Sequence, residues 1–295
     1  MKIYLKLLLT AIFWGGTFVA GRLVTQNVGP YSIAFQRFTI ASILLLLLTW
    51  RIEGKLPKLQ KSQIIPVILL GIIGIFIYNV MFFKGLKIIE AGRASLIIAT
   101  CPIFITICSI IFLKEKISLI KGLGIVISVC GAAIVISKGN ISRIFEGGLG
   151  LGELYIFCCV LSWMTYSLIG KSVMKNLSPL ASVSYSATVG AIALLVPAFF
   201  EGLAQNVASQ SVIDWLCISY LGVFGTVIGF VWYYQGVERI GPTKAGLFIN
   251  FVPISAIMCA FFILKEPITL SLVIGAVLVI TGVYLTNRTA KVKTT

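Results

Sequence analysis

Arg37 is the one basic residue that falls well inside a long apolar run of this sequence, in the step Gln36-Arg37-Phe38. A cation placed in hydrocarbon needs a partner and is a functional candidate by default. Two partners are open to it: a solute carboxylate, or the carbonyls at a helix C-terminus about two turns away. Asn250, three residues before Pro253, and the pair Tyr78-Asn79 are polar groups in other apolar runs. An amide there can donate and accept at once, which suits a solute amine or carboxylate. Trp14, Trp163, Tyr166 and Trp232 could wall a site for an apolar or cationic solute. Near the end of an apolar run the same aromatics serve as interfacial anchors. Pro102 and Pro253 each fall mid-run. A proline there removes one backbone hydrogen bond and frees a carbonyl one turn earlier, giving a packing kink, a hinge or a cavity-facing acceptor.

Other chemistry is missing. The chain has no histidine, and none of its nine acidic residues lies in the middle of an apolar run. Its seven cysteines all lie in apolar runs without a CxxC pair, the pattern of small buried hydrophobes rather than of a metal or redox site. A membrane-embedded enzyme needs paired carboxylates or a His-based constellation, so that reading is disfavoured and no cofactor or metal is expected.

The elements that must position these residues are membrane spans. The 295 residues are 59% hydrophobic and 11% charged, with mean hydropathy +1.06; soluble domains hold about 45–50% apolar and about 25% charged residues. A helix needs about 20 mostly apolar residues to cross hydrocarbon. Ten stretches qualify: 5–24, 31–50, 64–85, 91–113, 118–137, 150–170, 179–200, 212–234, 243–264 and 269–286. The start, with Lys2 and Lys6 ahead of an apolar run, resembles a signal peptide, but the run continues past Trp14 to Val24 without a small-residue cleavage site, so a retained first span is expected.

The net charge of +15 is spread in short clusters between spans, which argues against nucleic acid. With both termini on one side, that side gathers sixteen Lys and Arg against seven on the other. The positive-inside bias therefore predicts a multi-pass protein of the plasma membrane with both termini cytoplasmic.

The chain also aligns with itself. Trp14 falls on Trp163, Gly21 on Gly170 and Pro30 on Pro179 at an offset of 149. Gly85 falls on Gly236, Pro102 on Pro253, Lys114-Glu115 on Lys265-Glu266, Gly124 on Gly275 and Gly131 on Gly282 at an offset of 151. Residues 1–139 and 150–287 are then two five-span units, followed by a short basic cytoplasmic tail, 288–295. Five is odd, so the second unit inserts upside down. The expected fold is an all-α membrane protein of ten transmembrane helices, two inverted five-helix repeats around a central cavity, the plan of many secondary transporters. Glu115 and Glu266 each precede a span and are expected to cap it. Gly71, Gly74, Gly122, Gly124, Gly275 and Gly282 are expected to be close-packing positions.

Phe13-Trp14-Gly15-Gly16-Thr17-Phe18, Gln36-Arg37-Phe38, and Ala94-x7-Pro102 closing with Leu113-Lys114-Glu115-Lys116-Ile117, duplicated as Ala245-x7-Pro253 closing with Leu264-Lys265-Glu266-Pro267-Ile268, resemble the EamA family of the drug/metabolite transporter superfamily. The resemblance covers nearly the whole chain. It implies ten spans, cytoplasmic termini, a cavity between the halves, and export or exchange of amino acids and related metabolites. The second unit departs from the first: Ser186 stands opposite Arg37, Met164-Thr165 opposite Gly15-Gly16, and Asn250 opposite Ala99. The expected partners are a small solute and the lipid bilayer. A passive channel remains the alternative, and a monomer is consistent with the sequence.

Overall fold

The computed structural model describes residues 2–104, 107, 119–140, 150–173, 177–240, 245 and 248–287. The Leu113–Ile117 motif with Glu115, the Lys244 position, Cys108 and the basic tail lie outside the described residues. Every described element is helical: α1 (Lys2–Val24), α2 (Pro30–Glu53), α3 (Lys61–Ile88), α4 (Ala91–Phe104), α5 (Leu119–Ile136), α6 (Leu151–Val173), α7 (Pro179–Phe200), α8 (Val212–Gly222, continuing to Gly229–Ile240), α9 (Phe248–Leu264) and α10 (Leu270–Asn287), with a short helix, Leu203–Ser209, between α7 and α8. Among the described residues seven helices are long and apolar enough to cross a membrane, while α4, α9 and α10 are shorter apolar helices.

Local sequence explains several ends. Pro30 and Pro179 open α2 and α7, positions where proline's missing N–H is an orphan in any case. Gly54 closes α2 in the left-handed region, φ 73, where a side chain would be strained. The α1 and α3 helices begin at Lys2 and Lys61, three residues before their apolar runs, because a lysine at a span end keeps its ammonium in the interface while its stem lies along the helix.

The two mid-run prolines differ from expectation. Neither kinks a continuous helix. In α4 the chain turns at Ala99–Thr100, with Thr100 N–H on Ile97 O at 3.1 Å and Ile103 N–H on Thr100 O at 2.9 Å, and the helix restarts at Cys101. In α9 a tight 3-10 turn, Phe248–Asn250, leads directly into the α-helix at Phe251. Pro102 and Pro253 therefore sit in the first turn of an α-helical segment that follows a tighter turn, where the absent N–H removes no helical bond. The backbone widens into π-turns at Leu70–Ile77 in α3, Val223–Ile228 in α8 and Ala260–Leu264 in α9; such bulges gather at functional sites.

Packing joins the first part of the chain to the second. The α2–α7 pair runs antiparallel: Thr49 Oγ1 lies 2.7 Å from Ser184 Oγ, and Ser178 Oγ donates to Glu53 at one end while Glu201 takes the Tyr31 and Ser32 N–H groups at the other. Each helix thus lends a carboxylate to the partner's positive N-terminus. The α5–α10 pair is also antiparallel, with Gly124 against Gly282 and Gly131 against Gly275. α1 packs on α8 and α9, α3 on α6 and α7, and α4 on α6 and α9. One buried apolar cluster, with Phe18, Phe38, Phe83, Leu194, Leu221 and Ala256 among its members, runs through α1–α4 and α6–α9.

Glu266 corrects a sequence-based expectation. Its carboxylate does not cap α10, the helix that follows it. It accepts Ala91 N–H at 2.9 Å and Gly92 N–H at 3.3 Å, closing the first turn of α4 from the far end of the chain. The first turn of α10 is served by Thr269, whose Oγ1 accepts Leu272 N–H at 3.2 Å.

Candidate functional site

Arg37 sits seven residues into α2, about 10 Å along its axis at 1.5 Å per residue, and is 8% exposed. Its partners are side chains, not the helix-end carbonyls the sequence reading allowed. Nη1 donates to Asn79 Oδ1 on α3 at 2.9 Å, and Nε and Nη2 both donate to Thr226 Oγ1 on α8 at 3.2 Å. Both partners are themselves fixed. Asn79 Nδ2 donates to Ile75 O at 2.8 Å, and Thr226 Oγ1 donates to Leu221 O at 3.0 Å, five residues back across the π-turn. Hydrogen bonds to a charged group are worth roughly 1.5–3 kcal/mol each, against about 2.5–3.5 kcal/mol for placing Arg at a helix centre on insertion scales. The three bonds can offset the insertion cost. They leave the positive charge itself uncompensated.

The backbone at this point has no room to spare. A Cβ on Gly225 would lie 2.6 Å from Thr17 Cγ2 and 3.8 Å from Arg37 Nη2, and one on Gly229 would lie 2.5 Å from Trp14 Nε1. Trp14 uses this closeness: its Nε1 donates to Gly225 O at 2.9 Å. Gly15 and Gly16 let Ser255 of α9 and the Tyr220 hydroxyl of α8 reach α1 in the same way.

Beside the polar group lies a chain of rings. Trp14 meets Tyr233 and Phe230 at centroid distances of 5.4 and 5.8 Å, and Phe230 meets Trp163 at 6.4 Å. Trp163 stacks on Tyr166 at 5.4 Å and meets Tyr78 at 5.7 Å, and Tyr78 stacks on Phe82 at 5.9 Å. The contacts run from α1 through α8 and α6 to α3, so Trp14, Tyr78, Trp163 and Tyr166 belong to one aromatic layer. Trp232 does not: its ring faces Phe13 at 5.8 Å, with Lys6 Nζ 5.7 Å above it. Asn250 stands in the turn that precedes Phe251, half-buried. Pro253 lies buried one turn further on and Pro102 half-buried at the corresponding break of α4.

Two members of the site escape a reading of the sequence. Thr226 looks like any helix hydroxyl satisfied by its own backbone; the available signal is its place in the glycine-spaced run Gly222–Gly225–Gly229. Phe230 is one of 19 phenylalanines and carries no local mark.

Apolar helices enclosing a fixed arginine and an aromatic layer define a multi-pass membrane protein with a polar seam in its interior. The model of the EamA-like transporter family matches residues 1–137 and again 150–288, and the chain belongs to that family. An uncharacterized transporter, YyaM, of Bacillus subtilis is 33% identical over 96% of this chain and 92% of its own length. An uncharacterized transporter of Archaeoglobus fulgidus is 32% identical over 98% and 99%. A protein of Streptantibioticus cattleyicolor named as a probable terminal-alkyne amino-acid exporter is 28% identical over 96% and 92%. One crystal structure shares the fold with a TM-score of 0.64 over 97% of this chain and 98% of that one, at 18% identity.

Proposed function

We propose that this chain is a secondary carrier of small polar or amphipathic metabolites, amino acids among them, working by alternating access between two inverted five-helix halves, residues 1–139 and 150–287. The observation that carries the reading is the seam itself. Arg37 on α2 is held by Asn79 on α3 and Thr226 on α8, and the adjoining aromatic layer also draws its rings from both sides. A solute lodged there touches both halves, so its binding energy can differ between two relative positions of them, which is what coupling to a conformational change requires. The antiparallel contacts of α2 with α7 and of α5 with α10 agree with an inverted second half. The family membership and the exporter named among the relatives support a metabolite as cargo.

In this reading the ten helices are ten spans, the solute pathway is a cavity between the halves, and Trp14, Tyr78, Asn79, Trp163, Tyr166 and Asn250 face it. Trp232, turned toward Lys6, belongs at its cytoplasmic mouth, and the breaks before Pro102 and Pro253 act as hinges. The protein sits in the plasma membrane with both termini cytoplasmic. A cysteine introduced between Arg51 and Lys61 is then protected from an impermeant thiol reagent in intact cells, and its labelling from outside reverses the orientation.

Reconstitution into liposomes with a panel of amino acids, nucleosides and organic cations tests the function. Saturable uptake and counterflow are expected of a carrier. Flux that never saturates identifies a channel instead, and folded protein that moves no member of the panel overturns solute transport.

A further inference from the structure

Three cations meet the seam between the two parts of the chain: Lys6 on α1, Arg37 on α2 and Lys84 on α3. None of the three has a carboxylate within ion-pair distance among the described residues; the pair Arg93–Glu153 lies elsewhere, between α4 and α6. Lys6 Nζ donates to Gln235 Oε1 at 2.8 Å and lies over Trp232 at 5.7 Å. Lys84 Nζ contacts Tyr31 Oη at 3.4 Å and lies 5.1 and 5.9 Å from the rings of Tyr31 and Tyr155. Arg37 also lies 5.1 Å from the Phe38 ring, and the hydrogen-bond and ring partners of all three cations are neutral. Of the three only Arg37 is buried, and the two lysines are half-buried; a buried charge is ordinarily paired, so Arg37 without a counter-ion asks for a mobile one.

The guanidinium is also shaped to receive it. Of its five N–H groups, three are engaged and two have no partner among the described residues. The Nε/Nη2 edge, the fork that grips a carboxylate with two parallel bonds, holds only one hydroxyl oxygen, shared at 3.2 Å by both nitrogens. Gln36, the preceding residue, is 6% exposed with neither Oε1 nor Nε2 partnered. A buried amide left open in this way holds a donor and an acceptor in reserve.

We propose that the cargo is an organic anion: a solute carboxylate, zwitterions included, takes the guanidinium of Arg37, the aromatic layer holds its apolar body, and Lys84 and Lys6 draw it in from the two mouths. The inference rests on the carrier reading above and sets the sign of the charge the carrier selects. Aromatic rings alone could favour a cation, but a fixed uncompensated cation at the same seam opposes one.

The test uses three probes with one ring and one chain length: 3-phenylpropionate, phenylalanine and 2-phenylethylamine, run by counterflow in proteoliposomes beside the broader panel. Both carboxylates are expected to move at least tenfold faster than the amine. Arg37→Gln is expected to lose at least tenfold in kcat/KM for the carboxylates, while Arg37→Lys retains the anion preference at reduced affinity. Lys84→Gln raises KM severalfold for carboxylate entering from the outer face, and the difference fades above 0.5 M salt, as screening requires (Debye length about 3 Å at 1 M). If Arg37→Gln does not fold, Lys84→Glu, at a half-buried position, carries the same test: it must weaken the carboxylates and spare the amine. Preference for 2-phenylethylamine or for an uncharged solute, or undiminished carboxylate flux through the variants, overturns the inference and leaves the carrier intact. Absence of saturable flux for every compound tested removes the carrier itself.

Discussion

Glu201 accepts the backbone N–H of Ser32 at 2.7 Å, so the residue that ends α7 closes the first turn of α2. The carboxylate reaches it across Gly29: a Cβ there would lie 2.1 Å from Glu201 Cδ. Glu201→Ala is expected to lower stability by about 1 kcal/mol, the usual worth of a cap with its dipole contribution. Gly29→Ala displaces the same carboxylate and should have a similar effect. Because both changes remove one interaction, the double variant should be little worse than either single one. Thermal unfolding in detergent reads this, and full additivity would refute the shared cap.

Arg93 ties three helices together. It pairs with Glu153 in the first turn of α6 at 2.8 Å and also donates to the Ile136 carbonyl at the end of α5. Both charges are buried, at 8% and 6% exposure. Glu153→Gln or Arg93→Gln strands the other charge, and breaking a buried pair from one side costs about 3–5 kcal/mol. The double Gln variant, having no stranded charge, should recover most of that loss. A double variant whose loss equals the sum of the two single losses would show that the pair contributes nothing.

Glycine contacts in this bundle fall into two kinds that a scan can separate. A Cβ on Gly124 would lie 2.7 Å from Gly282 O and Thr286 N, and one on Gly131 2.8 Å from Val279 N. These neighbours are backbone and cannot swing aside. A Cβ on Gly92 would be tight only against the Ile257 side chain, at 3.2 Å, with Ile257 Cα and Leu272 Cδ2 at an ordinary 3.7 Å. Gly124→Ala and Gly131→Ala should therefore cost about 1–3 kcal/mol through forced separation of α5 and α10, while Gly92→Ala stays within about 0.5 kcal/mol of the parent. A larger effect at Gly92 than at Gly124 would contradict the packing.

Trp14 and Trp232 should part company when each becomes phenylalanine. Trp14→Phe keeps a ring in the layer but leaves Gly225 O without its 2.9 Å donor, an expected loss of about 1 kcal/mol together with lowered transport, since Gly225 precedes the Arg37 partner Thr226. Trp232→Phe removes no hydrogen bond that the structure shows and keeps an aromatic face for Lys6. Flux and melting temperature measured on both variants decide it; greater damage at Trp232 would mean the layer has been placed wrongly.

Periodicity and apolar length were enough to find the long helices but not the short polar one at Leu203–Ser209, which has no apolar run to mark it. The run 179–200 and α7 agree at both ends, because Pro179 and the Phe199-Phe200-Glu201 boundary mark them chemically. The breaks in α4 and α9 were half visible: proline locates a disturbance, yet whether a helix bends or restarts depends on which neighbours satisfy the freed groups. Arg37 and Asn79 stood out as polar residues in apolar surroundings, but their hydrogen bond joins residues 42 apart in sequence, and no spacing rule reports such a distance. Thr226 is further still, 189 residues from Arg37. Glu266 misled for the same reason. A carboxylate before a helix is assigned to that helix by proximity in sequence, whereas its partners at Ala91 and Gly92 are 175 and 174 residues away.

The antiparallel crossing of α5 and α10 also bears on how the chain is made. Gly124 and Gly282 lie 158 positions apart, so at 5–20 residues per second a ribosome takes roughly 8–30 s to supply the second after the first. Throughout that interval the glycine face of α5 lacks the helix it packs against in the finished fold. The last helix is thus the clasp of the assembly, and a nascent chain stalled before Gly275 displays an open small-residue groove that membrane quality control can read as unfinished.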